Sequence, residues 1–228
     1  MIEAEWQSAT NVHTLLQFLR DRPGDYVKPT ERKRRLFRCA CGRRCLRYLP
    51  TEWHLKTIEE AERFADGLVS WKRLAEAETK AHYAPTAPGY VHNVVVAETV
   101  RSMVAQLVGD HDDVWDSMFG TADYACEAVG GCPSKPSDEE QRAQCDIARD
   151  IFGNPFRLVA FAPEWRTDTA LVLARQMYEA REFSAAPILA DALQDAGCDS
   201  DDILNHLRDT TATHVRGCWA LDLVLGRE

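Results

Sequence analysis

"TERKRRLFRCACGRRCLRYL", residues 30–49, sets eight basic side chains and three cysteines within twenty positions. At about 100° per residue, Phe37, Cys41, Cys45, Tyr48 and Leu49 fall along one side of a helix. Arg32, Arg35, Arg43 and Arg47 lie opposite, with Lys33 and Arg44 at the boundary. The spacing predicts an amphipathic basic helix over 31–49, N-capped by Thr30 and stopped by Pro50. Arg34 and Arg38 intrude on the apolar side, so each must reach out to water or meet an acidic partner.

The same periodicity continues outward in both directions. Towards the N-terminus, Val12, Leu15, Leu16 and Leu19 make a stripe after Thr10, followed by the break "DRPGDYVKP". Towards the C-terminus, Trp53, Thr57, Ala61, Phe64 and Ala65 line a helix that Gly67 stops, and Ser70 opens another with Trp71 and Leu74. The β-branched run at Val94–Val96 suggests a strand, yet Val96, Val100, Met103, Val104 and Leu107 recur at helical spacing. Further helices are expected from about Asp112 and from Ser137, where Ser137 and Glu140 spell a capping box. Four more follow: after Thr167, from Pro187 to Gly197, after Ser200, and from about Val215 to Leu225. "FGNPFRLVAFAPEW", residues 152–165, is bounded by prolines and rich in aromatic anchors, which suits an extended segment packed against helices.

The expected fold is therefore all-α: a multi-helix array or bundle of about eight to ten helices, with at most one short extended strand. An N-terminal helical lobe over 1–135 and a C-terminal helical lobe over 136–228 are expected, or one continuous domain. A chain of 228 residues buries roughly 70% of its unfolded surface, enough for a core without staples. No apolar run approaches the ~20 residues that a membrane-spanning helix needs. Glu3 and Glu5 stand where a secretory signal would carry basic residues, so a cytoplasmic location is expected. In a reducing compartment the eight cysteines are expected to be buried thiols before they are disulfides.

Charge is unevenly spread. The net value is −9, yet residues 1–50 hold eleven Lys/Arg against five Asp/Glu. Three uses of the basic helix follow. Its arginines can pair with acidic neighbours such as Glu59, Glu60 and Glu62; they can form an anion-binding face for an acidic protein or a nucleic acid; or its cysteines can hold a metal. Against nucleic acid stand the acidic remainder of the chain and the lack of a helix-turn-helix signature or interleaved aromatic platform. Against metal stands spacing: Cys39, Cys41 and Cys45, or Cys126, Cys132 and Cys145, match no pattern of four zinc ligands, even with His54, His92 or His111 added.

Motifs for catalysis are missing: G-x-S-x-G, S-x-x-K, the P-loop, the dinucleotide fingerprint and H-E-x-x-H do not occur. The acids around Asp110, Asp112, Asp113 and Asp116 suit a helix start. His206 and His214 can flank a polar pocket with Asp222, though histidines near helix ends are commonly structural. No catalytic residue, metal ligand or cofactor is assigned on these grounds.

Several blocks carry a resemblance. "EAEW", "KRRLFRCACGRRC", "AERFADG", "DIFGNPFR", "PILADALQDAGCDSDDILNHLR" and "HVRGCWALDLVLGRE" resemble a family of bacterial proteins abundant in planctomycetes, over roughly 1–67 and 145–228. The resemblance implies a bacterial, intracellular, helical protein and carries no activity with it. The functional expectation is a non-enzymatic interaction or adaptor protein that docks an acidic partner through Arg32, Lys33, Arg35, Arg43, Arg44 and Arg47. A nucleic-acid-binding accessory factor is the alternative and a metal-dependent enzyme the third.

Overall fold

The computed structural model describes residues 1–22, 29–45, 52–84, 102, 105–106, 114–130 and 137–227. The stripe at 91–108 as a whole, the acids at 110–113, Arg47, Cys132, Thr51, and the expected lobe boundary at 135/136 lie outside them. Among the described residues there are eleven α-helices, a single 3-10 turn and no strand, so the all-α expectation holds. No helix there is long and apolar enough to cross a membrane.

The chain divides into two compact units. Ser8–Cys145 forms one, and Met1–Gln7 with Asp146–Glu228 forms the other. The first holds α2 (Val12–Asp21), α3 (Glu31–Cys45), α4 (Glu52–Ala65), α5 (Trp71–His82), α6 (Val114–Gly130) and the start of α7 (Asp138–Phe152). Here α3 packs against both α4 and α6, while α5 lies on α4 and α2 on α6. Local chemistry starts these helices much as the residue pattern predicts. Thr30 Oγ1 accepts the Lys33 amide at 3.3 Å, and Ser137 Oγ accepts that of Glu140 at 3.3 Å. The α2 cap is Asn11 rather than Thr10, because its side-chain carbonyl accepts the His13 amide at 2.9 Å.

The second unit begins with α1 (Glu3–Ser8), a helix the periodicity does not announce. Its Trp6 is buried, and the Trp6 carbonyl accepts two bonds from Arg149, at 3.1 and 3.0 Å. The end of α7 leads through the irregular segment 153–167, with its 3-10 turn at Pro163–Trp165, into four helices. These are α8 (Asp168–Ala180), α9 (Ala186–Asp195), α10 (Asp201–Arg208) and α11 (Trp219–Leu225). Ala174, Met177, Leu189, Leu193, Ile203, Leu207, Leu221 and Val224 close one apolar core among them. Each large side chain so buried stabilises the unit by about 1.5–3 kcal/mol. Arg166 caps the far end of α11 through the carbonyls of Val224 (2.8 Å) and Leu223 (2.9 Å), where Gly226 turns left-handed.

One boundary departs from expectation with consequence. The last helix starts at Trp219, not near Val215, because Gly217 adopts φ +96°, which a helix running on from 215 cannot contain. The Val215 amide, outside any helix, is held by Asp150 Oδ2 at 2.8 Å. The residues released from the helix are those that build the site below.

Candidate metal centre

The charge pattern of the chain points to the basic helix α3. The fold turns its charged flank inward. Arg35 is 2% and Arg38 0% exposed; both donate to Glu31 Oε1 at 3.0 Å, and Arg38 also reaches the Gln106 carbonyl at 2.7 Å. Burial, with Arg35 nearby, pulls the Arg38 guanidinium down to about 10. Arg43 grips buried Glu62 with two bonds, at 2.6 and 3.0 Å, and Arg44 grips buried Glu140 at 2.9 Å. Arg32 holds Asp66 at 3.0 Å, and Lys33 is half-buried. A helix covered on two sides by α4 and α6 has no whole face left for water, so its cations meet acids supplied by α4, α7 and its own first turn. The cysteines of this helix are buried too, and burial pushes the Cys39 thiol up to about 12 and that of Cys41 well above its ordinary value.

The second unit does something different. Asp150 from the last turn of α7, His206 from the last turn of α10, His214 from the following loop and Cys218 at the cap of α11 bring one donor atom each to within 4.8 Å of all the others. His206 Nε2 is 3.1 Å from Asp150 Oδ1 and 3.3 Å from Cys218 Sγ. His214 Nδ1 is 3.1 Å from the same oxygen and 3.9 Å from the same sulfur. A tetrahedral ion with bonds of about 2.0 Å to N and O and about 2.3 Å to S separates its ligand atoms by roughly 3.3–3.6 Å. These four contacts therefore lie near the edges of such a tetrahedron.

A Cys-His-Asp catalytic relay is the competing arrangement, and the ring geometry argues against it. A relay needs one ring nitrogen on the nucleophile and the other on the carboxylate. Here each histidine presents a single nitrogen to both Asp150 and Cys218, so all four donors face one point. Cys218 is also the wrong thiol for a nucleophile. Burial, with Asp150 alongside, pushes it well above its ordinary value, although the Ala220 and Leu221 amides pull the other way. A metal ion bound here would supply the positive charge that a thiolate in this position lacks.

The carboxylate is held ready. Burial raises Asp150, but hydrogen bonds and charge from His206 and His214 outweigh it and hold the carboxyl below its ordinary value. Its second oxygen accepts the Val215 amide at 2.8 Å, which leaves Oδ1 turned to the two rings. Trp219 packs on His206, with ring centres 5.0 Å apart, and is backed by Gly153, where a Cβ would stand 3.3 Å from the indole. His206 and His214 meet edge to face at 4.8 Å, and Phe183 sits 6.2 Å from His214. Nε2 of His214 is buried and makes no hydrogen bond among the described residues, so packing and the Nδ1 contacts orient that ring.

Two imidazoles, a carboxylate and a thiolate suit a borderline divalent transition metal such as Zn2+ or Co2+. Mg2+ and Ca2+ demand six or more oxygens. Among the described residues no other three His, Cys, Asp or Glu side chains bring donor atoms so close, Cys39, Cys41 and Cys45 included; Cys132 of the second cysteine group lies outside them. No family model, curated protein or solved structure matches this chain.

Sequence reasoning singled out His206 and His214 and paired them with Asp222. Asp222 is buried in α11 and is not one of the four. Cys218 was legible in principle: H-x7-H-x3-C, from 206 to 218, is a run of soft donors beside a glycine. Asp150 left no such trace, being 56 residues before the first histidine.

Proposed function

We propose that the C-terminal unit is a metal-binding module for one divalent transition-metal ion of the Zn2+ class, and that the protein acts through it without catalysis. The observation that carries this is the convergence of Asp150 Oδ1, His206 Nε2, His214 Nδ1 and Cys218 Sγ on one point. Four protein ligands complete a tetrahedron and leave no position for a substrate or an activated water, as in structural rather than catalytic zinc sites. The buried location of Asp150 and Cys218 supports the same view. Docking of an acidic protein or a nucleic acid by the basic helix is not part of the proposal, since the described arginines among Arg32, Arg35, Arg43 and Arg44 are engaged within the unit.

The test is elemental analysis of the full chain purified from zinc-supplemented culture, followed by Co2+ substitution. About one ion per chain is expected, with a thiolate-to-cobalt charge-transfer band that Cys218→Ser abolishes. Wild-type protein that retains no stoichiometric metal and gives no tetrahedral cobalt spectrum overturns the proposal.

A further inference from the structure

Three of the four ligands bracket a single loop. Residues 208–217 run from the last residue of α10 to the residue before the α11 cap, with His206 just before them, His214 within and Cys218 just after. The apolar core of this unit runs up to Leu207 and resumes at Cys218, with no member between. None of residues 208–216 is buried, and Arg208, Asp209, Thr210, Thr211 and Thr213 are exposed. The apolar side chains available to the loop are those of Ala212 and Val215. Its internal bonds are short-range: Asp209 takes both the amide and the hydroxyl of Thr211, at 2.9 and 2.6 Å, and its carbonyl takes the Ala212 amide at 3.1 Å. Such bonds shape a turn without attaching it to anything.

What attaches it is polar: at its start Arg208 holds Asp191 and Gln194 of α9, at 2.8 and 2.6 Å, and beyond that the attachments gather on one carboxylate and on Tyr178. Asp150 Oδ1 faces His214 and Asp150 Oδ2 holds the Val215 amide, while the Arg216 guanidinium lies over the Tyr178 ring at 4.4 Å. A loop with few buried apolar contacts and exposed backbone belongs to the part of a protein that opens locally at low cost. An ion bonded to His206, His214 and Cys218 ties both feet and the middle of the loop to one point, and through Asp150 to α7.

We infer that the bound ion is the clasp of the 208–217 loop, so that metal occupancy sets whether this surface is held closed or opens. The inference rests on the metal-binding function proposed above and adds to it what the ion controls. Opening the loop requires breaking bonds to the metal, because three of its anchors are ligands. At free Zn2+ about 100 times Kd, the open population therefore falls by about a hundredfold. The ligand set also explains why the loop lacks an apolar anchor: coordination takes the place that a buried leucine holds elsewhere in the core.

The experiment uses the full chain with native trypsin, whose sites after Arg208 and Arg216 flank the loop, and hydrogen exchange of residues 208–217 as a second readout. The protein is compared as purified, after chelation, and after return of Zn2+ or, as control, Mg2+. Cleavage and exchange in the loop should rise by about a hundredfold on chelation. Zn2+ but not Mg2+ should reverse the rise, while cleavage after Arg63 in the other unit stays constant. Asp150→Asn should remove the protection that Zn2+ confers. Stoichiometric metal with unchanged loop cleavage and exchange overturns the clasp and leaves the metal-binding function standing. Failure to bind metal at all overturns both.

Discussion

The two units bury polar groups in opposite ways. In the unit over Ser8–Cys145, buried charges are matched: Glu62 meets Arg43, Glu140 meets Arg44, Asp66 meets Arg32, and Glu31 serves Arg34, Arg35 and Arg38. Each of these four acids has a cation in hydrogen-bond contact. In the unit over 146–228, one carboxylate faces two imidazole nitrogens and a thiol, and each nitrogen contacts both other groups. Matched pairs fix the packing of helices, whereas donors crowded on one point leave a place for something positive. The contrast teaches that basic residues crowded in sequence can be spent on internal pairing, whereas four donors, one of them distant in sequence from the rest, can converge on one point.

The largest expected effect tests the matched side. Arg44→Leu leaves the Glu140 carboxylate buried without its cation and is expected to cost about 3–5 kcal/mol in urea unfolding. A loss below about 1 kcal/mol would show Glu140 to be satisfied by Gln144 alone, which lies at 3.3 Å.

Next comes the converging side. Free Zn2+ at about 100 times Kd should stabilise the C-terminal unit by about 2.7 kcal/mol. For a unit of this size that raises its calorimetric Tm by on the order of 10 °C. His214→Ala should abolish the gain, and the other unit's transition should not respond. A zinc effect equal in wild type and variant would break the comparison.

A smaller effect concerns the wall behind His206. Gly153 ends α7 at φ +69°, so Gly153→Ala adds about 1–2 kcal/mol of backbone strain and pushes on Trp219. Reduced stability together with weaker zinc binding, read by competition with a chromophoric chelator, is the expected outcome. Stability loss with unchanged affinity would detach Trp219 from the site.

The smallest effect separates ordinary surface pairing from both. His13 contacts Asp123 at 2.7 Å, and that hydrogen bond, opposed by partial burial, raises its pKa. A raised folded value means that the stabilisation is complete below about pH 6.5 and fades as pH rises through the folded value. Both side chains are largely exposed, so only a few tenths of a kcal/mol are expected, reduced further by salt. Asp123→Asn should flatten this part of the stability profile measured between pH 5 and pH 9.

Much of the fold was legible in residue order, and much of the site was not. The stripe at Val12, Leu15, Leu16 and Leu19, the Thr30 and Ser137 caps, and the Pro187-to-Gly197 helix all appear where periodicity and cap chemistry place them. The need of Arg38 for an acidic partner was legible too, since a cation on an apolar stripe has few other outcomes. Glu31 as that partner follows from helical spacing; Glu140 as partner of Arg44, from 96 residues away, does not. The capping box was half right. Ser137 caps Glu140, whose buried carboxylate turns to Arg44 because a charged guanidinium binds it more strongly than a helix-start amide.

Helix type and most helix ends are local matters, governed by which residues recur every three to four positions and which ones terminate the run. They could be read from residue order because each depends on neighbours within a turn or two. Whether a charged flank meets water, and whether a distant aspartate meets two histidines and a thiol, depends on which helices pack together. That choice is made by the summed burial of apolar faces across the whole unit, and no single stretch of the chain carries it.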